Sequence, residues 1–178
     1  TAPVEVKTIT VNGLAWPVWW NSVTGWTLTI ALSGSANVIN LAGLDYYGNA
    51  VGGATDSITI NFTGTVQLPQ DKLVINEIMY NAAPPKAAFV EIYNTSTNNA
   101  FDLSGWWLDG ADFTFPGSSI ILPNRFMVVA GDAAGFTAAY GTSIPLAGSF
   151  DGTLQDNGEA LKLVKPGTPD TVIDEVTY

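Results

Sequence analysis

The runs LVINEIMYN (73–81), AFVEIYNTS (88–96), FDLSGWWLDG (101–110) and FTFPGSSIILPNRFMVVAGD (113–132) decide the fold of this 178-residue chain. Each is a short series of β-branched, aromatic and aliphatic residues, and each ends in Asn, Asp, Gly, Pro or Ser. Such runs predict successive strands joined by tight turns. Upstream, VEVKTITV, LAWPVWW, GWTLTIALS, ANVINLAGLDYYG and DSITINFTGTV read as five further strands between Thr1 and Val66. Asn12-Gly13 is the strongest hairpin signal, because both residues tolerate positive φ. In GWTLTIALS, Trp26, Leu28, Ile30 and Leu32 share one parity, and Thr27, Thr29 and Ala31 the other. That alternation predicts a half-buried antiparallel strand. The one helical candidate is DAAGFTAAYG, with Asp132 as cap, Phe136 and Tyr140 on one face and Gly141 as its end.

Composition narrows the chemistry. A hydrophobic content of 47% supports a packed core, and no apolar run approaches the length of a membrane helix, so no membrane insertion is expected. Histidine and cysteine are both absent. Ser-His-Asp and Cys-His nucleophiles, imidazole metal sites and thiolate zinc cannot be built. Sixteen acidic residues against six basic ones give a net charge of −10, which repels phosphate backbones and argues against a nucleic-acid partner. The acidity is uneven, with a net charge of −2 up to Val66 and −8 beyond it. Pro and polar residues in TVQLPQDK (65–72) read as a short linker between two domains, 1–66 and 72–178. The sequence starts at Thr1 without a Met and contains no signal peptide, and we expect a piece of a longer exported protein.

Two resemblances follow from the order of the motifs. Residues 7–62 carry VNG, then LSGSANVINLAGLDYYGN and DSITI, and resemble bacterial immunoglobulin-like repeats. Such sandwiches have about seven strands. Five are visible here, so the resemblance implies a partial domain whose exposed edge strand offers a route to self-association. Residues 72–178 carry VINEIMYN, FVEIYN, DLSGWWL, ILPNRFMVVAGD, NGEALKL and IDEVTY in sequence, and this region resembles a bacterial lamin tail domain. The resemblance implies a second immunoglobulin-like β-sandwich, hence an all-β chain of two tandem sandwiches. No heptad region precedes it, so filament roles of nuclear lamins do not carry over. Such domains accompany exported enzymes and surface proteins. The implied function is a non-catalytic structural or binding module, secreted or at the cell surface, with a protein or polysaccharide partner.

Candidate site residues are few. Glu77 lies in phase with Ile75 and Met79, Glu91 with Phe89 and Tyr93, and Glu159 with Leu161 and Leu163. Period-two geometry therefore aims these carboxylates toward an apolar face, where two of them would form the acid/base pair of a hydrolase. The competing expectation, which we prefer, is that they are structural carboxylates binding backbone amides. Oxygen-rich turns supply Asp109, Asp112, Asp151 and Asp156 as candidate ligands of a structural calcium ion, the only cofactor expected. None has EF-hand spacing, and Asp-Gly is itself a turn former. Trp19 and Trp20, adjacent in a strand, face opposite ways, so an exposed indole there would suit a carbohydrate-binding module. Asn61 and Asn94 lie in N-x-[ST] sequons, relevant only to a eukaryotic secretory route.

Overall fold

The computed structural model describes residues 1–178. Strands β1 (Thr8–Val11) and β2 (Leu14–Trp16) form the predicted hairpin, with positive φ at both Asn12 and Gly13. Pro17 has no N–H to donate and divides LAWPVWW, so Trp19–Trp20 forms a separate strand, β3. It pairs with β4 (Trp26–Thr27), while β5 (Ala36–Leu44) and β6 (Ala50–Asn61) complete a sheet of order β2-β1-β5-β6. The N-terminal sandwich is thus a four-stranded sheet faced by a two-stranded hairpin.

The predicted strand GWTLTIALS is corrected in its pairing. Only Trp26 and Thr27 have a strand partner, and Leu28–Leu32 continues without one. The alternation itself is real: Leu28 and Ile30 pack on Val11, Trp16 and Ile39, while Thr27 and Thr29 are exposed. Parity fixes which side faces the core, but a ladder also needs a neighbour of matching length, and β3 is two residues long.

Eleven elements make the C-terminal sandwich. β7 (Leu73–Met79), β8 (Phe89–Asn94), β13 (Phe126–Ala130) and β14 (Leu146–Ser149) form one sheet, ordered β14-β13-β8-β7. β10 (Trp107–Asp109), β11 (Phe113–Thr114), β15 (Ala160–Lys165) and β16 (Thr171–Thr177) form the other, ordered β11-β10-β15-β16. β9 (Phe101–Asp102) pairs with β12 (Ile120–Ile121), and helix α1 (Ala133–Tyr140) follows β13. Val90, Ile92, Leu108, Phe115, Leu161 and Leu163 are fully buried in the main core between the sheets. The opposite face of β8 and β13 buries Phe89 and Val128 under Phe136 of α1. The helix begins as expected, with Asp132 accepting a hydrogen bond from the Gly135 N–H at 2.6 Å, and Gly141 ends it.

The connection between the sandwiches is tied to the second one. Asn99 donates to the Thr65 carbonyl, Ser96 Oγ donates to Gln67, and the Thr95 N–H donates to the Lys72 carbonyl. Pro69–Asp71 is a single 3-10 turn. Across the junction, Ile120 packs on the Val11, Trp16 and Ile39 cluster of the first sandwich. Gly117 lies so close to Ala15 that a Cβ there would fall 2.1 Å from the Ala15 carbonyl oxygen.

Candidate functional site

The three glutamates do not share a site. A β-bulge between Ile75 and Glu77 inserts Asn76, which shifts the phase of β7. Glu77 is therefore exposed instead of aimed at the apolar face, and the expectation from simple alternation is corrected. It stands opposite Glu91, whose Oε1 accepts a hydrogen bond from the Asn76 side-chain amide at 2.7 Å. Glu159 lies elsewhere, before β15. Its Oε1 accepts from the Gln155 N–H at 2.8 Å and from the Tyr178 hydroxyl at 3.0 Å. The last bond closes the C-terminus onto the loop before β15, and Tyr178 stacks on Tyr80 with centroids 5.3 Å apart.

That arrangement raises the Tyr178 phenol from 10.0 to about 12, through desolvation first and the Glu159 hydrogen bond and charge second. A folded-state value above the unfolded one means stability present below about pH 10 and lost as pH rises to about 12. Glu159→Gln removes the charge and is expected to bring the late tyrosine part of the way back toward 10. Phenolate absorbance during an alkaline titration reads this directly; an unmoved late transition would sever the pair.

Three polar residues have structural roles that the sequence did not reveal. The Ile75 N–H at the bulge donates to Asp174 of β16 at 2.7 Å, bridging the two sheets at their edge. Asn94 is 0% exposed, and its amide donates to the carbonyls of Asn99, Leu122 and Ile121. Asp102 accepts from the Ser104 N–H at 2.9 Å and from the Ser104 hydroxyl, and it lines an inter-sandwich cavity of about 250 Å³ with Leu14 and Ile30.

Burial raises the Asp102 carboxyl above the usual carboxylate value, and the Ser104 hydrogen bonds oppose this in part. A raised folded-state value means the fold loses stability as pH rises through it. Asp102→Asn keeps the acceptor oxygen and removes the charge. Its melting temperature is expected to match wild type near pH 3 and to exceed it by about 1–3 °C at pH 7, the size of a small stability change in a chain of this length. A difference independent of pH would contradict this assignment.

The acidic turns do not form a ligand set. Asp112 and Asp151 are neighbours, joined by an Asp151 N–H to Asp112 carbonyl bond of 3.4 Å. Asp109 faces Lys162 across the β10–β15 ladder, Asp156 lies in the loop after Leu154, and nowhere do three acidic side chains converge to hold an ion. The tryptophans separate by role. Trp16 and Trp106 are buried, and Trp20 packs toward Val6 and Ile9. Trp19 is 76% exposed and pairs with no other aromatic ring. Tyr46 and Tyr47 are exposed on the β5–β6 turn, edge to face at 5.5 Å. Asp45 shapes that turn by accepting the Asn49 and Tyr47 N–H groups, which hold its carboxyl below the ordinary value.

Two sheets with an interior core, Greek-key-like crossings and one short helix define an immunoglobulin-like β-sandwich protein. The family model described as Lamin Tail Domain matches residues 67–178, and the chain belongs to that family, which is a non-catalytic one. No curated protein and no solved structure matches the chain.

Proposed function

We propose that this chain is a non-catalytic accessory module, structural or binding, of a larger exported or cell-surface bacterial protein. The observation that carries this reading is the use made of its carboxylates. Glu159 and Asp174 hold backbone amides and Asp102 holds Ser104, while Glu77 and Glu91 stand on an edge ladder with no nucleophile between them. The proposed domain boundary runs between Val66 and Lys72, and the second sandwich serves as a rigid mount for the first. The module needs no cofactor in this reading, so melting curves in calcium and in EDTA are expected to coincide. The proposed partner is a protein or polysaccharide at the cell surface. The charge of −10 disfavours nucleic acid.

Deleting residues 1–178 from the parent protein tests this. Its turnover per molecule should be unchanged, while its retention on the cell envelope should fall. Lost turnover with normal retention would overturn the accessory reading. A carbohydrate-binding role has one supporting observation, the solitary exposed indole of Trp19. Trp19→Ala should then abolish retention on a polysaccharide column without changing the melting temperature.

A further inference from the structure

The inner face of the N-terminal sheet is covered unevenly. Ile39 on β5 and Ile58 on β6 are direct partners in the ladder, so both side chains lie on the same face. Ile39 is 9% exposed and Ile58 is 50% exposed. Leu28 and Ile30 pack in the cluster over Ile39, which takes in Ile60 of β6 but leaves Ile58 open.

That segment has no backbone partner along its length. The one bond it receives is from the Trp16 indole N–H to the Thr29 carbonyl, at 3.1 Å. Leu28 and Ile30 face the core while Thr29 faces solvent, which is the alternation of extended backbone. Successive residues of extended backbone direct their N–H and C=O groups to opposite edges. With Thr29 turned toward Trp16, Leu28, Ile30 and Leu32 present theirs to the other edge, unpaired. A free edge above an uncovered apolar face is a template for an added strand.

Two residues before the segment, Trp26 lines a groove of about 380 Å³ together with Leu41, Ala54 and Asp56. The Trp26 indole N–H is buried without an acceptor. Asp56 has no cationic partner, since the one ion pair in the molecule joins Lys162 and Glu175. Charge selects the occupant. A second copy would bring a net charge of −10 against −10, with Lys7 the only cation of its first 66 residues. A strand carrying Lys or Arg meets Asp56 with the opposite sign.

We propose that the Leu28–Leu32 edge accepts an extended peptide strand with aliphatic side chains at alternate positions and a basic residue set against Asp56. The proposal stands on the backbone of the first sandwich, so its failure would leave the accessory role untouched, and the converse holds too.

The test uses the full chain, labelled for amide hydrogen exchange, and a blocked nine-residue peptide alternating Val and Thr with Lys at each end. Saturable binding is expected, with the Leu28, Ile30 and Leu32 amides slowed at least about tenfold and those of Thr29 and Ala31 unchanged. A peptide with Glu at each end should bind about twofold to fivefold more weakly, as for an exposed ion pair, and Asp56→Asn should erase that difference without lowering the melting temperature. Absence of saturable binding overturns the proposal, as does protection spread evenly over all five amides. Concentration-dependent dimerisation that protects the same amides without peptide also overturns it, because it places a second copy at the edge.

Discussion

Asn94→Asp is expected to lower the melting temperature by roughly 10 °C at pH 7, from a loss of about 3–5 kcal/mol in a chain of this size. Asn94 ends β8 inside the protein, with Nδ2 at 2.8 Å from the Asn99 carbonyl, 3.1 Å from Leu122 and 3.2 Å from Ile121. Its Oδ1 accepts the Ser96 N–H at 2.9 Å. One side chain thereby joins the end of β8, the loop after it and the segment leaving β12. Aspartate keeps the acceptor and removes both donors, leaving a buried carboxylate facing three carbonyl oxygens. Burial and those oxygens raise its folded-state pKa, so the penalty is full at pH 7 and shrinks as pH falls toward the ordinary carboxylate value of about 4. Asn94→Leu loses the same donors without introducing a charge, and its deficit should not change with pH. Thermal melts of both variants at pH 4 and pH 7 separate the two costs. If Asn94→Asp melts within about 2 °C of wild type at pH 7, the three-carbonyl hub is not a structural tie.

The contrast between Asn94 and its sequence context shows where local reading stops. An N-T-S triplet after an alternating run looks like a surface turn, and no neighbouring residue marks it as buried. Its burial is created by Ile121 and Leu122, 27 and 28 positions away. The sandwich itself was legible from FVEIYN, DLSGWW and FMVVAGD, because strand parity and turn chemistry are local properties. The parity of Leu28 and Ile30 was legible for the same reason. Their missing partner was not, because pairing belongs to two segments at once. Glu77 fails by a related mechanism: one inserted residue at Asn76 reverses the phase of everything after it, and a bulge leaves no trace in a two-residue period. Asp102 reads as part of a turn motif, but its raised carboxyl follows from burial, and the first sandwich docks beside it.

That docking gives the second large effect. Gly117→Ala is expected to separate the sandwiches, at a cost of about 2–4 kcal/mol, set by the burial lost when Ile120 and its neighbours leave the Val11, Trp16 and Ile39 cluster. A Cβ at Gly117 would lie 2.1 Å from the Ala15 oxygen, 3.1 Å from its carbonyl carbon and 3.2 Å from Trp16 Cε3. The obstacle is backbone, and it cannot move alone. Ala15 is held opposite Thr10 in the β1–β2 ladder, which pairs onward to β5. The sheet must therefore shift as a body against the 116–119 loop. Gly117 is not in the left-handed region, so alanine carries no conformational penalty there, and contact alone produces the effect. Gly13→Ala is the complementary control, with φ +88° and open space around the added carbon. It should cost about 1 kcal/mol from its conformation and leave the junction closed. Proteolysis at residues 65–72 distinguishes them. Gly117→Ala should be cut about tenfold faster than wild type, as local opening exposes the connection, with exchange in the Val90–Ile92 core unchanged. Equal cutting of the two variants would mean that the junction yields by an ångström without opening. The Gly117–Ala15 contact would then not be what holds the sandwiches together, and the packing of Ile120 on the Val11, Trp16 and Ile39 cluster would have to hold the junction alone.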